Sequence, residues 1–175
     1  MSQPELTVDP KLARGDVYVL VLEDVAGQSL ISGAGDKGMI IRTWDIEATL
    51  PLQIDVANLD RVAGRVVISD MTIRKMSDVA TPGLYSACAE AKVFGKATLT
   101  IGRTIAGAIN PRMTWVMEQV IVASITTSAD ARGEPMDLFK LNFTKISLDY
   151  QQKENDLVSG GNDGFAWDMA KNILP

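Results

Sequence analysis

The run over residues 136–152, Met-Asp-Leu-Phe-Lys-Leu-Asn-Phe-Thr-Lys-Ile-Ser-Leu-Asp-Tyr-Gln-Gln, is the strongest constraint in this sequence. It alternates like a β-strand but changes phase part-way along. Leu141 and Phe143 share one parity, whereas Ile146, Leu148 and Tyr150 share the other. Side chains of a strand alternate with period two, so a strand with one buried face keeps one parity. The change requires either a bulge between Thr144 and Lys145 or a strand buried on different sides along its length. The second alternative suits a strand that runs through a barrel and then meets another surface, such as a neighbouring subunit.

The rest of the chain reads mainly as strands. Residues 16–22 form an apolar run that suits a strand buried on both faces. Residues 24–38 read as a Gly- and Ser-rich loop, and 39–50 as a strand interrupted by Arg42. Residues 51–64 are a long connection of mixed character, and 65–75 a strand with Val67, Met71 and Ile73 in phase. One short helix stands out: Thr81 suits the N-cap, and Pro82 suits the first helical position. Leu84, Ala87, Cys88 and Ala91 follow the spacing of one apolar helix face, and Gly95 is the expected stop. Residues 96–105 alternate cleanly, with Ala97, Leu99, Ile101 and Ile105 on the inner side. Residues 107–112 read as a turn around Asn110-Pro111. Residues 113–126 read as another long strand, also changing phase, near Glu118-Gln119. Residues 127–135 are a polar turn, 159–164 a flexible connection and 165–173 a short terminal strand or turn. No helical pattern recurs between strands, which argues against βαβ units. An antiparallel β-barrel with one short helix across an end is the expected architecture. Residues 1–15 read as an N-terminal arm and 16–175 as a single domain.

Composition removes several function classes. The chain has no histidine, which excludes Ser-His-Asp and Cys-His mechanisms and His-ligated metals. The single cysteine, Cys88, forbids an intramolecular disulfide and suits a reducing compartment. A formal net charge of -5 argues against duplex nucleic acid as a partner. Residues 1–14 are acidic and polar where a signal peptide would be basic and then apolar, so export by the general secretory route is not expected. The longest apolar run is far shorter than the ~20 residues that span a bilayer, so no membrane insertion is expected.

The isolated motifs have ordinary readings. Gly33-Ala34-Gly35-Asp36-Lys37-Gly38 fits G-x-G-x-x-G, but a β pattern follows where nucleotide binding needs a helix N-terminus. It reads as a glycine-rich turn. Cys88 sits among Leu84, Ala87 and Ala89 and reads as a packed thiol. Glu47 and Glu118 lack the surroundings of an acid–base pair and read as lining or interfacial groups. Trp44, Trp115 and Trp167 are expected to pack. No cofactor, metal site or catalytic set is expected.

Several segments, in order, resemble the haemolysin-coregulated protein (Hcp) family of bacterial type VI secretion. They are Gly-Arg-Val-Val-Ile-Ser-Asp-Met-Thr-Ile-Arg-Lys (64–75), Thr-Pro-Gly-Leu-Tyr-Ser-Ala-Cys-Ala-Glu-Ala (81–91) and the strand 97–101. Glu-Gln-Val-Ile-Val-Ala-Ser-Ile-Thr-Thr (118–127), the phase-changing 141–152 and Phe-Ala-Trp-Asp (165–168) complete the set. The resemblance implies a β-barrel with a short helix, assembled as homohexameric rings. The rings stack into a hollow tube that a contracting sheath drives out of the cell. The lumen can hold and protect small effectors. Implied partners are further copies of the chain, sheath proteins, a VgrG-like spike and small effectors. The protein would occupy the bacterial cytoplasm before firing and then be secreted without a signal peptide. On this reading Thr127 and Ser128 are candidate lumen or cargo contacts. Leu52, Ile54, Val56, Leu59, Ile146, Leu148 and Tyr150 are candidates for subunit or ring-stacking contacts. Residues 51–64 lie where the family often carries a glycine-rich loop implicated in stacking, but here the segment is more apolar. Three other readings use the same elements: the tail-tube protein of a phage-like or extracellular contractile system, a monomeric barrel with a ligand in its interior, and an enzyme acting through carboxylates. The bulky Leu, Ile, Phe and Trp set favours a filled interior over a ligand cavity.

Overall fold

A computed structural model describes residues 16–29, 31, 37–54, 61–131, 133–155 and 158–173. The strands are β1 (Val17–Leu22), β2 (Met39–Ile41), β3 (Thr43–Asp45), β4 (Ala48–Thr49), β5 (Leu52–Ile54), β6 (Arg61–Ala63), β7 (Val67–Ile68) and β8 (Met71–Met76). Helix α1 (Thr81–Ala89) follows, then β9 (Val93–Ile105), β10 (Ala108–Ser128), β11 (Met136–Asn142), β12 (Lys145–Asn155) and β13 (Val158–Asp168). The main sheet runs β2-β1-β9-β10-β11-β8-β3, every pairing antiparallel, and β12 with β13 extends from β10.

The two ends of that order are neighbours in sequence, separated only by Arg42. Met39–Ile41 pairs with β1, and Thr43–Asp45 pairs with β8. The Arg42 amide donates to the Arg74 carbonyl at 2.8 Å, so the chain passes from one partner to the other without a gap. The sheet thereby closes on itself as a barrel and leaves no open edge at this junction. This handover explains why the predicted strand 39–50 is three short strands: its parts pair with β1, β8 and β7 in turn.

The phase changes form a single seam. In β9, Phe94 is buried on one parity and Ala97, Leu99 and Ile101 on the other. In β10, Val120 and Val122 are buried on one side of Gln119, and Met117 on the other. Phe139, Leu141 and Phe143 precede Thr144, and Ile146 follows it with reversed parity. The register pairs Val120 with Phe94, Met117 with both Ala97 and Ile146, and Val122 with Leu141. Directly opposed residues share a face, so the three reversals must coincide. Gln119 has a φ of 53°, the left-handed conformation that turns the strand over. The Thr144 amide donates to the Glu118 carbonyl at 3.1 Å across the break. The run 136–152 is therefore two strands along one edge of β10, first β11 and then β12.

Both sides of the seam bury into the same core. Ile146 is 2% exposed and belongs to one cluster with Leu141 and Phe143. A local irregularity thus accounts for the change of phase at Ile146, and the expectation that this side chain faces a neighbour is corrected. Leu148 is half-buried and Tyr150 is exposed, so the β12 face leaves the core as it runs outward.

Other expectations need adjustment. The connection 51–64 contains a hairpin, β5 with β6. Ser69 and Asp70 split the predicted strand 65–75 into β7 and β8, and Val67 is exposed. The N-cap of α1 is Ala80, one residue earlier than expected. The helix ends at Ala89, and Ala91 takes a φ of 50° beyond it, whereas Gly95 lies within β9. Asn110-Pro111 is inside β10 beside a register shift, a position that tolerates proline. The hairpin turn is Ala106-Gly107, both at positive φ. Ile105, expected inward, is partly exposed near that turn. Residues 159–164 belong to β13. As expected, β1 is buried on both faces: Leu20 and Leu22 enter the main core, and Val19 packs with Ile109 on the opposite side.

Gln119 generates a test. Gln119→Gly relieves the left-handed strain and is expected to leave stability unchanged or raise it by up to ~1 kcal/mol, net of glycine's larger entropy in the unfolded chain. Gln119→Val is expected to lower stability by roughly 1–2 kcal/mol, since a β-branched residue resists positive φ. Urea denaturation of both variants measures the difference.

Candidate functional site

Two features stand out from ordinary packing. The first begins with alternation. Lys75 is in phase with buried Met71 and Ile73 on β8, and Asp137 is in phase with buried Phe139 and Leu141 on β11. The register sets Asp137 directly opposite Lys75. Both charged side chains therefore point into the barrel end, and both are 0% exposed.

Burial of this kind is tolerable only when every polar atom is satisfied. Lys75 Nζ lies 2.7 Å from Asp78 Oδ1, 3.0 Å from Asp137 Oδ2 and 3.0 Å from the Met76 carbonyl. These contacts use all three ammonium donors. The Asp137 carboxylate also accepts hydroxyl protons from Ser77 (2.7 Å), Thr81 (2.5 Å) and Thr127 (2.7 Å). Burial pushes the Asp137 pKa up, but the hydroxyls of Thr81, Ser77 and Thr127, together with Lys75, pull it down further, to about 2. Thr81 is thus more than a helix-start residue, because its hydroxyl ties the first turn of α1 to β11. Asp78 holds the preceding turn through the Ala80 amide at 2.9 Å. Tyr85 extends the joint: its hydroxyl donates to Thr127 Oγ1 and accepts the Thr127 amide, both at 3.1 Å. The cluster joins β8, α1, β10 and β11. Lys75 and Asp137 have no surface on which to meet a substrate, so the arrangement is a structural joint.

Thr127, a candidate cargo contact, is exposed at the end of β10, with its hydroxyl bound to Asp137 and Tyr85. Ser128 is exposed, beside a depression of about 550 Å³ lined also by Met76, Asp130, Glu134 and Met136. Sequence reasoning missed Lys75 and Asp137. The available signal was a charged residue in phase with a buried apolar set on each of two strands.

The second feature is an apolar groove of about 240 Å³ lined by Trp44, Ile46, Ala48, Ile68, Trp115 and Phe165, with Glu47 and Ile146. Trp44 and Trp115 meet edge to face, with centroids 6.1 Å apart. Trp115 stands opposite Leu148, and Leu148 opposite Phe165. The face continues outward to Tyr150, so apolar surface extends beyond the core, with Phe165 40% and Tyr150 47% exposed. Leu52, at the start of β5, is 52% exposed. Ile54 lies in β5 without a described side chain, and Val56 and Leu59 lie outside the described residues. Glu47 and Glu118 have separate structural partners: Glu47 accepts the Thr49 hydroxyl, and Glu118 pairs with Lys145.

The fold has known counterparts. Residues 19–150 match the family described as "Type VI secretion system effector, Hcp". Protein hcp1 of Pseudomonas aeruginosa is 30% identical over 113 residues, covering 62% of this chain and 68% of that protein. Among solved structures, a type six secretion system protein superposes with a TM-score of 0.81 at 19% identity, covering 90% of this chain and 98% of the other. Hcp1 from Salmonella typhimurium gives 0.74 at 16% identity, covering 90% and 97%.

The carboxylate predicts acid behaviour. Its folded pKa lies below the ordinary 3.8, so its contribution is complete above about pH 4 and is lost as pH falls towards about 2. The contribution is roughly 2 kcal/mol. Asp137→Asn should therefore unfold more easily at pH 7, with the difference from the parent chain narrowing towards pH 2. Denaturation midpoints across that range measure it.

Proposed function

We infer that this chain, which belongs to the Hcp family of type VI secretion proteins, works as the structural subunit of the secretion tube. Hexameric rings of it stack into a hollow tube that is propelled from the cell, and effector proteins travel in the lumen. The family match carries the reading. It begins within β1 and ends within β12, and so spans the barrel wall, the helix and the seam. The outward-running face of β12 supports an assembling subunit, because Leu148, Tyr150 and Phe165 leave apolar surface that a second copy would cover.

In this reading Leu148, Tyr150 and Phe165 serve contacts within a ring. Leu52 and its hairpin, including Ile54, Val56 and Leu59, serve contacts between rings. Thr127 and Ser128 are the candidates for cargo contact. A contracting sheath and a VgrG-like spike are the further partners, and the subunit waits in the cytoplasm before firing.

Solution mass and negative-stain images of the purified chain test the proposal. Rings are expected, and a monomer at tens of micromolar would refute it. The double variant Tyr150→Asp with Phe165→Asp should fold with an unchanged circular dichroism spectrum yet lose most of its rings, because two charges would be desolvated at a contact. Leu52→Asp should leave ring mass unchanged and shorten or abolish tubes. Loss of rings in that variant would move Leu52 to the other interface.

A further inference from the structure

We propose that the Lys75–Asp137 pair is a buried key that selects one register between β8 and β11 and one seat for α1. Its role is selection, and its net gain in stability over a well-packed apolar pair at the same positions is small.

Met71 stands opposite Leu141, Ile73 opposite Phe139 and Lys75 opposite Asp137. A slip of one residue would turn every side chain to the wrong face, so parity already forbids it. A slip of two residues keeps parity. In one direction it would set Ile73 opposite Leu141 and Met71 opposite Phe143; in the other it would set Met71 opposite Phe139. Each exchanges apolar contacts for apolar contacts, so burial discriminates weakly between registers. The charges discriminate strongly. The first slip brings Lys75 opposite Phe139, and the second brings Asp137 opposite Ile73. Lys75 would keep Asp78 on its own segment, but either slip leaves the fully buried Asp137 carboxylate without its counter-ion, which is costly.

The same atoms seat the helix. Thr81 donates to Asp137 Oδ2, and Asp78 Oδ1 takes both Lys75 Nζ and the Ala80 amide. A displaced register would therefore also break the start of α1. Buried ion pairs commonly add little net stability over an apolar pair, and their best-attested use is to fix registry. The key belongs to the subunit itself. Its consequence for assembly rests on the ring-forming reading above, because a head-to-tail ring closes only when every copy presents the same geometry.

The experiment uses the full chain, with Lys75→Met and with Lys75→Met combined with Asp137→Asn. Asparagine keeps one carbonyl acceptor, enough for the Ser77 and Thr127 hydroxyls, and its amide can donate to the Thr81 hydroxyl. The single variant strands a carboxylate and should lower Tm by roughly 10 °C. The double variant should recover at least half of that loss. Its peptides from β8, β11 and α1 should nonetheless show two isotope envelopes in hydrogen-exchange mass spectrometry, where the parent chain shows one. Its assemblies should be polydisperse. A double variant with single envelopes would overturn the proposal, as would one that recovers less than half of the Tm loss. If the parent chain proves monomeric, the ring reading fails, while the exchange and melting results still decide the key.

Discussion

Residues directly opposed in a β ladder must share a face, so no strand in a closed barrel can reverse its buried side alone. The left-handed Gln119 turns β10 over, and β9 and the β11–β12 line turn with it. Much of the architecture follows from that coupling. Below the seam, β10 shares its edge with β11, which leads through β8 to the closure at Arg42. Above it, the same edge passes to β12, and the β12–β13 pair grows away from the barrel. The seam is therefore where a closed wall gives way to an outward ribbon carrying Tyr150 and Phe165. A sheet without it would extend one face only and would offer no apolar surface beyond the core.

The barrel end uses a different kind of specificity. Apolar alternation fixes which face of β8 and β11 is buried, but it cannot fix how far one strand slides along the other in steps of two. Lys75 and Asp137 supply that second constraint through charge, and their hydroxyl partners extend it to the helix. The two devices divide the work. A backbone conformation at Gln119 orients the ribbon, and a charge pair positions α1 and the β10–β11 end. The carboxylate stays ionised at neutral pH, so the joint is not a switch under ordinary conditions.

The sequence displayed some of this directly. The phase changes near Glu118-Gln119 and after Phe143 are visible as parity, because period two is written in the apolar positions themselves. The third reversal, at Gly95, was hidden, since a glycine after a helical pattern reads equally as a helix stop. Asn110-Pro111 looked like the turn because proline usually breaks strands, yet a bulge accommodates it and Ala106-Gly107 makes the turn. The short strands β3, β4 and β7 were run together, because pattern alone does not reveal a change of partner. Lys75 and Asp137 were legible only as charges out of place. Their meaning lies in a pairing between distant strands, which no local window contains. The apolar face beside the groove was partly legible through Leu148 and Tyr150, but Trp44, Trp115 and Phe165, which line the groove, come together only in the folded chain.

The filled interior bears on how such a subunit serves transport. Met71, Ile73, Leu84, Leu99, Met117, Phe139 and Leu141 are all fully buried in one cluster inside the barrel. A small barrel packed in this way is a solid rod of side chains, and no protein cargo passes through it. A lumen wide enough for an effector therefore has to be bounded by several subunits, each contributing the outer surface of its wall. That requirement shifts the functional weight from the interior of the chain to its exterior geometry. The parts that hold that exterior fixed, the seam at Gln119 and the joint at Lys75–Asp137, then matter to the tube even though neither need touch a neighbouring subunit.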